Sequence, residues 1–387
     1  MKKIFISGLC LVVIIPFLSC ENSSKQEISE SRNYTANLFV TDNKLIFKTD
    51  SVTPASSDCL FAHDIGGKRY LSYLNKSNNE IVIFDIDSQQ QLYKIKPEKE
   101  GAQGVGTING FYFSSFDSIY ICPKSKKSIF IIDKESKLLK TINYGKNGDQ
   151  PIPSPKSFTN LPLLIENNKV FLPSFPFGNW SNYNSLSEVP LCYMVNISNN
   201  DSRYLNMTYP EGYLNKGNTE PTYGRIKVGS KFIYSFFADH YIYITKDHRE
   251  VKKLMASSEF FEEFKYLKKN PDMQEYSKFR CETPYYSSII YDKNRKVYYR
   301  FTSLGVEIET NDNLALISRF SPNASIIILD SLLNKIGETK LPFGRFNISN
   351  YFVTNEGLYV SENNPMNENY LDENLNFTLL KLSYNEK

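Results

Sequence analysis

The chain has 387 residues, with 45 Lys and Arg against 42 Asp and Glu, and its formal net charge at pH 7 is +3. This balance gives no indication of the strongly basic surface by which proteins bind nucleic acid. Aromatic residues make up 14% of the chain, as 27 Tyr, 27 Phe and one Trp, and this composition favours half-buried β-strands over helices.

The N-terminal stretch, residues 1–20, reads MKKIFISGLCLVVIIPFLSC. Two lysines precede an apolar segment, 4–15, that is too short to span a bilayer as a helix, and a small residue precedes Cys20. The pattern resembles a bacterial lipoprotein signal, which implies that Cys20 would become the lipidated first residue. A plain signal peptide or an N-terminal anchor helix is the alternative interpretation.

The segment after Cys20 is polar and lacks apolar periodicity, so it is expected to be a flexible tether. The lipid would hold the protein at the cell envelope, on the outer membrane, facing either the periplasm or the cell surface. An acidic run after the cysteine would favour surface export. Glu21 is followed by no further acidic residue until Glu27, so the sequence does not support that location over the other.

One pattern recurs along the rest of the chain: an apolar run ending in Asp or Asn, a polar turn and a second strand. The runs lie at 81–95, 128–142, 193–207, 241–255 and 325–341. The residues at the shared place are Asp85, Asp133, Asn196, Asp247 and Asp330. Runs of β-branched and aromatic residues bounded by turn formers predict antiparallel strands. Recurrence at one structural place indicates turn residues rather than catalytic carboxylates.

Two further strand signals precede each run, which gives five units of four strands. A sixth unit has three strands, at 350–356, 357–363 and 377–384, and the segment 43–50 can supply the fourth. If this N-terminal segment paired with the sixth unit, the units would form a closed ring without exposed sheet edges at its ends. The sequence therefore predicts an all-β, six-bladed β-propeller of four-stranded antiparallel blades, closed by an N-terminal strand. A pair of β-sandwiches or an accidental series of hairpins is the alternative.

The units also resemble a known family. The segments EGAQGVG at 100–106, VYYRF at 297–301, SIIILD at 325–330 and GLYVSEN at 357–363 are similar to uncharacterised Bacteroides-type lipoproteins with a TolB-like or NHL-like six-bladed propeller. The likeness spans about residues 40–384. It implies the fold but no activity, and no catalytic residue can be carried over from it.

The predicted organisation is a lipoprotein signal peptide at 1–19, a polar tether at 20–37 and one propeller domain at 38–387. A helical insertion is expected at about 257–280. Its first helix would begin at Ser257 or Ser258 and place four apolar side chains on one face. These are Phe260, Phe261, Phe264 and Leu267. A second short helix would follow Asn270-Pro271. The pair would cover one face of the ring, or serve as a lid or docking element.

The loop 173–190 carries the single tryptophan. Trp180, Asn182 and Tyr183 are candidate ligand-binding residues, because an exposed ring with amide donors beside it suits stacking on a sugar. The alternative is that Trp180 fills a gap beneath an irregular loop.

Candidate catalytic residues are few. His63 and Asp64 lie on an expected inner strand, where they form either a channel-facing, ligand-binding pair or a partly exposed turn pair. His240 and His248 flank a strand, so they are expected at its opposite ends and cannot share a metal ion. The chain lacks the GxSxG, HExxH, Walker and GxGxxG motifs. No cofactor and no metal ion is expected.

Four cysteines remain beyond the signal, and their spacing is wide and without a CxxC motif. They are Cys59, Cys122, Cys192 and Cys281. Burial as small hydrophobic side chains and disulfide formation are both open. Near the last blade, the Asn- and Glu-rich segment 363–373 offers oxygen ligands but lacks EF-hand spacing, so a solvated loop is favoured over a calcium site.

The sequence thus predicts a lipid-anchored binding or scaffold module with a protein or glycan partner. The alternative is a glycan- or lactone-directed hydrolase with carboxylates or His63 in the propeller channel. An apolar or Tyr-lined channel mouth would favour binding, and several charged side chains converging there would favour the enzyme.

Overall fold

A computed structural model describes residues 35–145, 152–176, 186–267, 271–309 and 313–385. Almost all regular structure is β. Blade 1 holds β2 (Leu60–Ile65), β3 (Lys68–Asn75), β4 (Glu80–Asp85) and β5 (Gln91–Ile95), and is preceded by β1 (Ala36–Lys48). Blade 2 holds β6 (Ile108–Ser115), β7 (Ser118–Pro123), β8 (Ser128–Ile132) and β9 (Leu138–Asn143). Blade 3 holds β10 (Leu164–Glu166), β11 (Lys169–Pro173), β12 (Pro190–Asn196) and β13 (Ser202–Thr208).

The second half of the chain continues the series and contains both described α-helices. Blade 4 holds β14 (Tyr223–Val228), β15 (Lys231–Phe236), β16 (Tyr241–Thr245) and β17 (Val251–Met255). Helix α1 (Met273–Glu282) leads to blade 5, which holds β18 (Tyr285–Asp292), β19 (Val297–Ser303), β20 (Ala324–Leu329) and β21 (Lys335–Lys340). Helix α2 (Leu314–Phe320) lies between β19 and β20. Blade 6 holds β22 (Asn347–Val353), β23 (Leu358–Ser361) and β24 (Asn374–Tyr384).

The six sheets have four strands each, and the sixth has the order β1-β24-β23-β22. The predicted six-bladed propeller, closed by an N-terminal strand, is confirmed. Strand β1 pairs antiparallel with β24, with Ala36 opposite Tyr384 and Lys48 opposite Asn374. It begins inside the segment expected to be tether. Blade 5 holds β1 from the other side, since the Thr35 N–H donates to the Ile336 carbonyl at 3.1 Å.

The hydrophobic core is divided into six wedges, one between each pair of neighbouring blades. One wedge joins blades 5 and 6, where Phe301 stacks on Tyr351 with ring centroids 4.2 Å apart. Another joins blades 4 and 5, and a third joins blades 6 and 1. Each large apolar side chain buried in these wedges contributes about 1.5–3 kcal/mol. Consecutive blades are therefore neighbours, and blades 1 and 4 lie on opposite sides of the ring.

Strands β2, β14, β18 and β22 lie next to the ring axis. Strand β14 contacts β18, β18 contacts β22, and β22 contacts β2, which closes this part of the inner circle. Each of these four pairs with one strand in its own sheet. Alternate backbone N–H and C=O groups on the other edge therefore face the axial channel. At the outside of the ring, exposed lysines on the outermost strand of several sheets discourage edge-to-edge pairing. They include Lys48, Lys94, Lys140, Lys252 and Lys340.

The repeated Asp and Asn residues are turn residues, as predicted. Asp133 Oδ1 accepts the N–H of Glu135 at 3.0 Å and that of Lys137 at 2.9 Å, and Asp330 Oδ1 accepts the equivalent pair at 2.9 and 2.8 Å. Asp85, Asn196 and Asp247 accept N–H groups in the same way. Such bonds fix the turn between the third and fourth strands of a blade.

The two faces of the ring differ in the length of their connections. On the turn face, between first and second and between third and fourth strands, the connections have two to five residues. The opposite face, here the insertion face, carries every longer connection between the described strands, including those that hold α1 and α2.

The predicted first helix of the insertion is wrong. Residues 257–267 are irregular, and only α1 is helical, beginning after the Asp272 cap. The backbone of this segment bonds to other parts of the chain rather than to itself. Glu259 N–H donates to the buried Glu338 carboxylate at 2.8 Å, and Leu267 forms a bridge with Asn218. Phe261 and Phe264 pack on His240 and Tyr286 from this irregular backbone.

The four described cysteines are buried and unbridged. Burial raises the pKa of all four thiols, which keeps them protonated and unreactive. This outcome agrees with their interpretation as small hydrophobic side chains.

Candidate functional site: the axial cavity

A cavity of about 920 Å³ lies on the ring axis, lined mainly by the inner strands of blades 1, 4, 5 and 6. Its volume is near the upper end of the range of small-molecule sites, about 300–1,000 Å³. Apolar and polar groups share the wall almost equally, and its aromatic residues are Phe61, Tyr291, Tyr351 and Phe352. The apolar lining includes Ile226, Val228, Ile289, Tyr291, Phe352 and Val353. Backbone groups of the inner strands lie between these side chains.

The cavity is closed on the insertion face by a turn, residues 158–161. Thr159 N–H donates to the Asp58 carbonyl at 2.7 Å, in the connection before blade 1. On the opposite side of the ring, Arg225 N–H in β14 donates to the Asn160 carbonyl at 3.0 Å. The Asn160 amide also donates to Ser287 in blade 5, at 3.4 Å. A turn bonded to opposite blades lies across the axis, so, as far as the described residues show, the cavity opens at the turn face.

The open end is rimmed by charged side chains that pair with one another. Arg69 Nε donates to Asp87 at 2.9 Å, and this pair raises the pKa of the arginine. Lys227 Nζ lies 2.6 Å from Glu166, in the neighbouring blade.

Lys293 and Asp64 form the remaining rim pair, with 3.9 Å between Nζ and Oδ2. They belong to blades 5 and 1, so the pair spans the inner strand of blade 6. Both side chains are exposed, at 69% and 55%, so the pair contributes little stability, about 0–1 kcal/mol.

His63 lies in the cavity wall, on β2, and not in a turn. Its ring packs on Phe113 at 4.9 Å, and Nε2 shares a hydrogen bond with Ser72 Oγ at 2.6 Å. Burial lowers the pKa of His63 to about 4, so the imidazole is neutral at pH 7. A Ser–His pair can act as a nucleophile and base, but Ser72 is fully buried and a substrate in the cavity does not reach it.

The two carboxylates of the lining are Asp64 and Asp87, and both contact a cation. Both side chains are more than half exposed to solvent. A carboxyl group that acts as a general acid at neutral pH needs apolar surroundings, which these two lack. Several charged side chains converge at this mouth, which was the expectation for an enzyme. They are held in pairs, however, and neither carboxylate has the surroundings of a general acid, so the arrangement favours binding over hydrolysis.

The structure describes only some of the other residues predicted as sites. Cys20, Trp180, Asn182 and Tyr183 lie outside the described residues. His240 and His248 have different partners, Tyr286 and Tyr234, as expected for opposite ends of a strand. Among the described residues, no group of three or more His, Cys, Asp and Glu side chains could hold a metal ion.

The Asn-rich segment of the last blade uses its side-chain amides for hydrogen bonds to nearby backbone carbonyls. Asn363 Nδ2 donates to the carbonyl of Asn374 at 2.8 Å, and Asn364 Nδ2 donates to that of Phe346 at 2.9 Å. These amides hold the connection 362–373 in place, in agreement with the loop interpretation. A second cavity, about 560 Å³, lies beside it, where Glu362 pairs with Lys44 and Arg345.

Most rim residues were missed by the sequence reasoning. Arg69, Lys227, Lys293 and Asn355 lie at the turns between the first and second strands of four blades. The repeat contains a signal that could have found them, since the same turn of every blade meets at one end of the axis. Their mutual pairing depends on distances that the repeat does not give.

A search with protein-family models matches residues 35–340 to a family described as "Domain of unknown function (DUF4221)". None of the curated proteins matches the chain. In the part of the chain that the structure describes, no helix has the length and apolar character needed to cross a membrane.

Two solved structures are similar over nearly the whole chain. One is a crystal structure of a DUF4221 family member from Bacteroides vulgatus, with 22% identity and a TM-score of 0.77, covering 91% of this chain and 99% of that one. The other is a candidate exported protein from Bacteroides fragilis, with 12% identity and a TM-score of 0.52, covering 91% and 96%. At these identities the likeness shows the fold alone.

Proposed function

We propose that this chain, which belongs to the DUF4221 family of unknown function, is a binding module of the cell envelope that holds an uncharged ligand in its axial cavity. The observation that carries the proposal is the cavity itself. It is closed at one end, its wall combines apolar side chains with polar groups, and its rim charges are held in pairs. A charged ligand that enters the cavity finds no counter-charge that lacks a partner, whereas an uncharged ligand leaves every pair in place.

The experiment is a thermal-shift screen of the full chain purified in detergent. The probes are neutral hexasaccharides (maltohexaose, cellohexaose, mannohexaose and xylohexaose) and neutral hexapeptides blocked at both ends. Binding to the native state raises Tm. Lys293→Trp places an indole at the cavity mouth. Lys246→Trp is the matched control, because Lys246 is exposed on the same face in a turn between third and fourth strands.

We expect at least one probe to raise Tm of the wild type and of Lys246→Trp by several degrees, and to leave Lys293→Trp unchanged. A probe that shifts all three proteins equally binds elsewhere and contradicts the proposal. Failure of every probe to shift the wild type also counts against it. Cleavage of a probe during incubation would favour the hydrolase alternative.

A lipid anchor at Cys20 belongs to the same proposal. The signal pattern at 1–20 supports it, and the name of the structurally similar B. fragilis protein is consistent with export. The test is metabolic labelling with an alkynyl fatty acid in a host that processes lipoproteins. The wild type should carry the label and sediment with membranes, and Cys20→Ala should do neither. Equal labelling of the two proteins would refute the anchor.

A further inference from the structure

The closed end of the axial cavity limits how a ligand can enter it. The turn 158–161 crosses the axis and is bonded to blades 1, 4 and 5, so a polymer cannot thread through the ring. Blade 2 also packs closely beside the turn. Gly110 lies so near the backbone of Ser157, the residue before the turn, that a Cβ at position 110 would overlap it. A chain molecule can therefore enter only with one of its ends, from the turn face.

The rim then discriminates between kinds of chain end. A free peptide end carries an ammonium or a carboxylate group, and burial of such a charge without a partner is costly. The cations of the cavity are already paired: Arg69 with Asp87 and Glu356, Lys227 with Glu166, and Lys293 with Asp64. An uncharged end needs none of these pairs to break.

The wall favours a ligand with apolar faces and many hydroxyl groups. Phe61 and Tyr291 are partly exposed and offer ring surface, and Ile226, Val228, Ile290 and Val353 add aliphatic surface. Between them, the free edges of β2, β14, β18 and β22 present both donors and acceptors. A sugar ring matches this pattern, because its C–H face is apolar and each hydroxyl both donates and accepts.

We infer that the axial cavity recognises the uncharged terminal residues of an oligosaccharide, end-on, from the turn face. This inference rests on the proposed function and narrows it to one ligand class and one direction of access. It requires no contribution from the loop that carries Trp180.

The test is binding of the full chain in detergent to one neutral hexasaccharide presented in two ways, coupled through its reducing end or through its non-reducing end. End-on recognition predicts binding in one presentation and at least tenfold weaker binding in the other. The same hexasaccharide with its free terminal residue oxidised to a uronic acid should also bind at least tenfold more weakly. Lys293→Trp should abolish binding, and Lys246→Trp should leave it unchanged.

Equal binding in both presentations would overturn the inference, since it indicates recognition of internal residues. Equal binding of the uronic acid form would overturn the discrimination against charge. If blocked hexapeptides bind in a Lys293→Trp-sensitive manner and no hexasaccharide does, the inference fails while the proposed function stands. If nothing binds at the mouth, both fail.

Discussion

The two faces of the ring are built in different ways. On the turn face, the order is local: Asp133 and Asp330 each fix a turn by accepting N–H groups two and four residues ahead. On the insertion face, order comes from residues distant in sequence. Arg300 in β19 donates to the carbonyls of Ala256 and Asp239, both at 2.7 Å, from the preceding blade.

The two faces therefore differ in how much a single polar side chain contributes to the free energy of unfolding. A turn-face carboxylate is exposed and makes bonds that water could replace in part. Arg300 is fully buried and lies 3.4 Å from the centre of the Tyr286 ring, and burial lowers the pKa of its guanidinium to about 10. Substitutions on the insertion-face side should therefore cost more stability than matched changes on the turn face.

The largest effect is expected for Arg300→Met. The change leaves the carbonyls of Asp239, His240 and Ala256 without their buried donor. We expect a loss of about 3–5 kcal/mol in the free energy of unfolding, measured by urea denaturation. Arg203→Met, on the exposed outer strand β13, is the control and should change stability by about 0.5 kcal/mol or less. Similar losses in both variants would contradict the account.

The second effect is a loss of stability in weak acid. Burial lowers the pKa of His63 and of His248 to about 4, below the ordinary value of 6.5. The unfolded chain therefore binds more protons than the native one between these values. Stability should be full above pH 6.5 and fall toward pH 4, by about 1 kcal/mol per pH unit for each imidazole.

The measurement is urea denaturation at several pH values between 7 and 4.5. The double variant His63→Gln and His248→Asn should have a flatter profile than the wild type. Asparagine is chosen for position 248 because the backbone φ there is +62°. An unchanged slope in the double variant would show that other groups cause the acid sensitivity.

The smallest effect is expected for Asp330→Ala on the turn face. It removes the acceptor of two N–H groups in an exposed turn, at a cost of about 1 kcal/mol. Asp330→Asn keeps an acceptor oxygen and should have a smaller effect. If Asp330→Ala destabilised the protein as much as Arg300→Met, the contrast between the faces would be wrong.

The same contrast explains what the sequence could predict. The turn residues recur at a fixed place and act on their own neighbours, so Asp85, Asp133 and their equivalents were identified with the fold. Phe261 and Phe264 have helical spacing, but their partners His240 and Tyr286 come from two other segments, and the long-range contacts determine the backbone there. The axial site combines both cases: its position follows from the repeat, and its closed end and paired charges do not.

The most direct test of the axial site is hydrogen–deuterium exchange of the full chain, with and without the hexasaccharide that gives the largest thermal shift. The proposal predicts slower exchange at the rim turns 66–67, 229–230, 293–296 and 354–357, with little change on the insertion face. Protection confined to the insertion-face segments 257–267, 313–320 and 362–373 would contradict it and place the binding surface on the opposite side of the ring.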